Sequence, residues 1–373
     1  MNQLQSLKQN LESTNDVDAF MMEISSLADR HTNNSMAQLQ IMEALTDAMF
    51  NFQDQFDIGS GKELSILAQR ISKKLISSEQ VNGRSNIEIG YRTALVTSVL
   101  AERVEKYNPT VASEMFLHCG AVTRNLHQNQ SYPVQARGGL APLLLKEANG
   151  HLIAGNTATA EQTIQDSLNW GLVEFEQILD DERINSSAIA QNVHAKVKAA
   201  KQQYLTKIRP GINSAMDAFQ SFDFDFSLID INNNRITKSH FDGKYLVVDL
   251  WGTWCAPCRA EIPHLNSLQK AFRSKKVQVV GIAIEHGESE EANRATLDQF
   301  LNDNKVDYQC LVGNEGLTKQ LPNFTSYPTM LFIDREGKVR FATSGYLDYS
   351  QMEVIVEQLI KRDSMVSSKA NLN

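Results

Sequence analysis

The chain has 373 residues, more than one ordinary core holds, so two domains are expected. Apolar residues make up 42% and charged residues 21%, the balance of a soluble globular protein. A net charge of −8 argues against a nucleic-acid-binding surface, and no apolar run approaches the roughly 18–20 residues that a membrane helix needs.

Residues 1–10 are polar and helix-like, without the basic segment and apolar core of a signal peptide. A cytoplasmic home is expected if the chain is complete as given. An extracytoplasmic or periplasmic one is expected if an export signal has been removed. Residues 1–210 read as an all-helical domain. Apolar positions 17, 20, 21, 24 and 27 follow helical spacing, as do 64, 67, 71 and 75, and 95, 99, 100 and 104. Ser60 with Glu63, Ser85 with Glu88 and Thr159 with Gln162 match capping boxes. The segment 141–181 reads as two short helices joined at Gly155-Asn156. No period is sustained, so a helical bundle is expected over a repeat array.

Arg209-Pro210-Gly211 is expected to end the helical region. Phe222-Asp223-Phe224-Asp225-Phe226 then alternates as a half-buried strand does, and Asn232-Asn233-Asn234 marks a turn. Strands are predicted at 245–251, 277–284, 308–312, 329–333 and 339–343. Helices are predicted at 258–273, 291–303, 315–320 and 350–361. This alternation describes an α/β domain. Residues 364–373 read as a polar, frayed tail.

Trp254-Cys255-Ala256-Pro257-Cys258 stands between the strand 245–251 and the next helix. A cysteine at a helix N-terminus has its thiolate favoured by free N–H groups and the macrodipole. Cys255 is therefore expected to be exposed and to attack a disulfide. Cys258, inside the first turn, is expected to be buried and to resolve the mixed disulfide, leaving a Cys255–Cys258 disulfide. Pro257 suits an early helical position. Two acids accompany the pair. Asp249 interrupts an apolar strand, and Glu261 shares a helix face with Cys258. Either fits the proton exchange that Cys258 needs. The plainer readings are an edge acid reaching solvent for Asp249 and first-turn dipole stabilisation for Glu261.

Leu246 through Pro263 resembles the active-site segment of the thioredoxin fold, most closely its TlpA/ResA-like branch. Trp251 and Trp254 flank the approach to Cys255, and Pro263 falls where that fold kinks its first active-site helix. The segment 226–250 resembles the branch's N-terminal hairpin, and 285–325 its helix-strand insertion. Ser326-Tyr327-Pro328-Thr329 resembles the cis-proline loop, followed by the Asp334-Arg335-Glu336-Gly337 turn. The resemblance implies a thioredoxin-like domain over 215–363, with a central mixed sheet flanked by helices. It implies Cys255 as nucleophile, Cys258 as resolving thiol, and Glu261 and Asp249 as acids that tune them. Trp254, Ala256, Pro257, Tyr327 and Pro328 would meet the substrate, with the Tyr327–Pro328 bond cis. The redox-active disulfide would be the only cofactor. The partners would be a protein disulfide or dithiol and an upstream electron donor, in an extracytoplasmic setting. One departure stands out: the 277–284 run has no lysine to partner Asp249.

Other chemistries fit less well. A zinc site needs two further ligands beside the cysteine pair, and haem attachment needs His at 259, which is Arg. Gly59-Ser60-Gly61-Lys62 is not a phosphate loop, because 56 is Phe and 63 is Glu. Cys119 and Cys310 read as inert core thiols, and adjacent His118 and Cys119 point apart on a helix. The expected function is a thiol-disulfide oxidoreductase, more a reductase than an oxidant. The alternative is a client-binding or chaperone-like helical module with an accessory redox domain.

Overall fold

The structure, a computed structural model, describes residues 2–51, 56–78, 84–129, 139–322 and 324–370. The chain divides into two compact units, residues 1–200 and 201–373. No helix among the described residues is long and apolar enough to cross a membrane.

The first unit is helical. Its elements are α1 (Asn2–Thr14), α2 (Val17–Arg30), α3 (Ser35–Asn51), α4 (Ile58–Ser78), α5 (Arg84–Val104), α6 (Pro109–Gln128), α7 (Ala141–Ile153), α8 (Thr157–Asn169), α9 (Phe175–Leu179), α10 (Glu182–Asn185) and the start of α11 (Ala190–Ala218). The helical spacing read in α2 is the buried face: Val17, Phe20, Met21, Ile24 and Leu27. They join Leu39, Met42, Leu64, Leu100 and Phe116 in one core. In α5 the expected face is buried at Leu100 and Val104 but not at its N-terminal end. Leu95 is 42% exposed, while the small residues Ala94, Thr97, Ser98 and Ala101 are buried. The helix sits between α3 and α6, and small side chains let neighbours approach closely.

The three residues expected as caps, Ser60, Ser85 and Thr159, lie inside their helices. The α4 cap is Asp57, whose Oδ1 accepts from Ser60 N at 2.7 Å while Asp57 N donates back to Ser60 Oγ at 3.1 Å. Ser85 is the second residue of α5, and α8 starts at Thr157, before Thr159. Gly155 takes φ +76° between α7 and α8, the turn expected there. Position 75 is helical, but its side chain lies outside the described ones.

In the second unit an eight-stranded mixed sheet runs in the order β1-β8-β7-β4-β5-β6-β2-β3. The strands are β1 (Phe222–Asp223), β2 (Ser227–Asp230), β3 (Arg235–Thr237), β4 (Tyr245–Trp251), β5 (Val277–Ala283), β6 (Gln309–Val312), β7 (Thr329–Ile333) and β8 (Lys338–Ser344). The helices are α12 (Ala256–Phe272), α13 (Glu290–Asp303) and α14 (Tyr349–Ala370). Strand β4 is central, parallel to β5 and antiparallel to β7, and all seven of its residues are buried. Its odd residues, Tyr245, Val247 and Trp251, pack with Leu265 and Leu268 of α12 and Met352 and Ile355 of α14. Its even residues, Leu246, Val248 and Leu250, pack with Phe224, Phe226, Phe241 and Leu317. Period-two alternation therefore puts Asp249 on the α12 face.

The helical region does not end at Arg209-Pro210-Gly211: α11 runs through Pro210 to Ala218. A mid-helix proline costs about 3 kcal/mol. Docking on α14 offsets it. Met216 is buried with Ile355 and Leu359, and Arg209 pairs with Glu357 and Arg362 with Asp217. The tail expected from 364 is helical backbone as far as Ala370, because no glycine or proline interrupts the run from α14. The strand expected across 222–226 pairs only at Phe222–Asp223, although Phe224 and Phe226 keep the alternation by being buried.

Candidate active site

Strand β4 delivers the chain to a tight turn, Gly252-Thr253-Trp254, and α12 begins at Ala256. A Cβ on Gly252 would lie 2.4 Å from Trp254 Nε1, so only glycine lets the indole fold back. Trp254 Nε1 then donates to Ile284 O at 2.9 Å. Thr253 N and Oγ1 each donate to the Glu285 carboxylate at 2.8 Å, and Arg259 donates to Thr253 O at 2.8 Å. Cys255 is the N-cap of α12, its Sγ accepting from Cys258 N at 3.4 Å. The two cysteines form a disulfide with Cα atoms 5.3 Å apart. Pro257 occupies the first turn, where its missing N–H has no helical acceptor, and Pro263 lies within the helix.

The order of exposure runs as expected, but the magnitude does not. Cys255 is only 5% exposed and Cys258 is fully buried. The bond to a wholly buried partner draws Cys255 inward, where it joins the core over β4. Ala256 and Pro257 stay exposed beside it.

Both acids are fully buried. Asp249 therefore does not reach solvent at an edge, and Glu261 is no exposed first-turn acid. Neither Asp249 oxygen nor Glu261 Oε2 has a hydrogen-bond partner among the described residues. Glu261 Oε1 accepts from Leu347 N. Burial alone pushes the Asp249 carboxyl up to about 8. Burial first, and then the nearby Asp249 charge, push Glu261 up to about 9, against the pull of the Leu347 N–H. On the same helix His264 is buried, meets Tyr346 Oη at 2.8 Å, and is held down to about 4 by burial.

The Tyr327–Pro328 bond is cis. The Tyr327 ring stands edge-on to Trp254 at 5.6 Å and to Phe324 at 5.0 Å, and His286 lies 4.8 Å from Trp254. Trp254 is 46% exposed, so these rings form an apolar rim open to solvent. Gly345 N donates to Pro328 O at 2.8 Å, tying the proline loop to the segment that holds Glu261 and His264.

The sequence-predicted residues thus gather in one place. Ring contact joins Trp254 to Tyr327, and the sheet face joins Cys258 to Asp249 and Glu261. Glu285, His264 and Phe324 were not foreseen. Glu285 alone left a signal, as an acid directly after an apolar strand. The two free thiols are buried in core positions. Cys119 is pushed up to about 12 by burial, and Cys310 is raised by burial as well.

The AhpC/TSA family matches residues 221–342. Thiol-disulfide oxidoreductase ResA of Bacillus subtilis (strain 168) is 30% identical over 34% of this chain and 68% of its own length. The thioredoxin-like protein YneN of the same organism is 30% identical over 35% of this chain and 73% of its own. A solved thioredoxin-family thiol:disulfide interchange protein from Chlorobium tepidum TLS aligns at 22% identity over 38% of this chain and 98% of that one, with a TM-score of 0.34. Through its C-terminal unit the chain belongs to the ResA-like thiol-disulfide oxidoreductases of the thioredoxin superfamily.

Proposed function

We propose that the protein reduces protein disulfides, with Cys255 attacking and Cys258 resolving. The observation that carries this reading is the asymmetry of the pair. Cys255 caps a helix at the edge of an apolar rim, while Cys258 is sealed beside two acids. In the dithiol form, the Cys255 thiolate attacks one sulfur of the substrate disulfide. The substrate S–S bond breaks and one substrate thiolate leaves. Cys258 gives its proton to Asp249 or Glu261, and its thiolate attacks Cys255 Sγ. The mixed disulfide breaks, the second substrate thiolate leaves, and two electrons have passed to the substrate. An upstream dithiol donor returns them. Carboxyls raised to about 8 and about 9 lie near an ordinary thiol, so a proton moves between them and Cys258 at little cost either way. The cis-proline loop and the Trp254–Tyr327 rim would hold an extended substrate segment, with Ala256 and Pro257 beside it. The family resemblance favours an extracytoplasmic setting. The reduction potential tests the direction. A value near that of glutaredoxins or thioredoxin, about −200 to −270 mV, is expected. A value near about −120 mV would make the protein an oxidant.

A second reading concerns the helical unit. Met22 and Ile66 are 72% and 57% exposed and line one groove between α2 and α4, rimmed by Asp18, Glu63 and Arg70. Such a groove suits an apolar client segment. In the full chain, Met22→Asp with Ile66→Asp should lose client capture while small-disulfide reduction persists. Unchanged capture would remove this reading.

A further inference from the structure

The sheet register places Asp249, Gly281 and Cys310 in one row across β4, β5 and β6. All three face α12, and Tyr308, two residues before Cys310, faces the same way. Gly281 stands directly beside Asp249, where a longer residue would supply a partner. A Cβ there would lie 2.9 Å from Trp251 Nε1, 3.1 Å from Cys310 Sγ and 3.1 Å from Tyr308 Cε2. The Trp251 indole N–H therefore lies over the glycine beside the ring edge of Tyr308, whose hydroxyl is carried by the carbon next to Cε2. Both polar atoms are buried and, like both Asp249 oxygens and Glu261 Oε2, have no hydrogen-bond partner among the described residues. Buried polar groups meet a partner in most proteins, and an internal water is a common one where polar atoms leave room for it.

We propose that Tyr308 is a positioning residue for Asp249: its phenol O–H, with the Trp251 N–H, holds a water that hydrogen-bonds the Asp249 carboxyl and sets the ionisation of the acid serving Cys258. The inference rests on the reading of Asp249 given above. Tyr308 senses Cys310, Asp249 and Glu261, and burial keeps its phenol protonated, so it acts as a donor throughout the working range. Facing Asp249 are Cys258 and Glu261 from α12, and Tyr308 and Cys310 from the β6 edge. Strands β5 and β7 present Gly281 and Met330 in register, and no cation among the described residues contributes to Asp249. Donors to the charged form favour it, so removing one must raise the acid's midpoint.

The test is Tyr308→Phe in the full-length chain, with the Asp249 carboxyl followed by infrared difference spectroscopy against pH and identified by Asp249→Asn. The midpoint should rise by about 1 pH unit, the equivalent of one hydrogen bond to a charged group. The pH profile for reduction of the Cys255–Cys258 disulfide by dithiothreitol should move with it. An unmoved infrared midpoint overturns the inference. A midpoint that moves while the kinetic profile stays put supports Tyr308 as a partner of Asp249 and overturns Asp249 as the acid in exchange. If the variant does not fold, a high-resolution crystal structure of the parent decides. An ordered water within reach of Tyr308 Oη and the Asp249 carboxyl supports the proposal, and a Tyr308 Oη bonded elsewhere overturns it.

Discussion

The buried and half-buried acids of the helical unit and the two acids beside the cysteine pair are treated in opposite ways. In the helical unit, Arg124 bridges Glu147 and Asp166, Arg183 meets Glu105, and Arg92 meets Glu43. Each of these acids has a cation, as an acid withdrawn from water requires for stability. In the redox unit Asp249 and Glu261 are more deeply buried and have none among the described residues. Burial raises the proton affinity of both, and the Asp249 charge raises that of Glu261 further. The thiols divide in the same way. Cys119 lies buried within a helix, its thiol donating to the Leu143 carbonyl at 3.6 Å, while Cys255 caps a helix. An acid kept beside a thiol without a counter-ion destabilises the fold, so its retention marks chemistry rather than architecture.

The largest expected effect breaks the comparison at the thiols. Cys255→Ser should abolish turnover of a protein disulfide, whereas Cys119→Ser should leave it unchanged, as measured by the rate of substrate thiol release. Next come the acids. Asp249→Asn or Glu261→Gln should each slow Cys258-dependent resolution by about 10²-fold or more near neutral pH, read by stopped-flow. The double variant should lose less than the product of the two, because both serve the same proton transfer to and from Cys258.

A stability measurement sharpens the same contrast. The Asp249 carboxyl is raised in the folded state from 3.8 to about 8, so the folded state holds a proton that the unfolded state has lost across that window. Stability is then intact below 3.8 and falls as pH rises toward about 8, by at most about 1.4 kcal/mol per pH unit. Asp249→Asn should flatten that slope in denaturant titrations and be the more stable protein at pH 8. A slope equal to the parent's would mean that Asp249 is already ionised when folded. The smallest effect lies in the helical unit. Arg124→Ala should cost roughly 1–2 kcal/mol by stranding Glu147 and Asp166, with the exchange rate untouched. A change in that rate would show that the units are not chemically independent.

Much of the redox site was legible because its signals are local. A charged residue in an apolar strand and a cysteine before a helix each declare themselves within a few residues, whereas the Tyr327-Pro328 loop was legible through the family resemblance. What was not legible depends on distant chain. Tyr308 and Gly281 meet Asp249 only through the register of three strands. The passage of α11 through Pro210 depends on α14, Arg209 reaching Glu357 across 148 positions. Cys255 was expected to be exposed because a helix N-terminus usually is; a fully buried disulfide partner decided otherwise. In the helical unit the spacing of α2 gave its buried face directly. In α5 the spacing gave Leu100 and Val104 as buried but missed Leu95, because the small residues Ala94, Thr97 and Ser98 make the close contacts there.

The central claim is that Cys255 attacks and Cys258 resolves beside two unpaired acids. Trapping with Cys258→Ser in the full-length chain tests it most directly, with the captured disulfide mapped by peptide mass spectrometry. A substrate cysteine bound to Cys255 is the expected result. A stable adduct on Cys119 or Cys310, or no adduct while reduction of substrate continues, would contradict it.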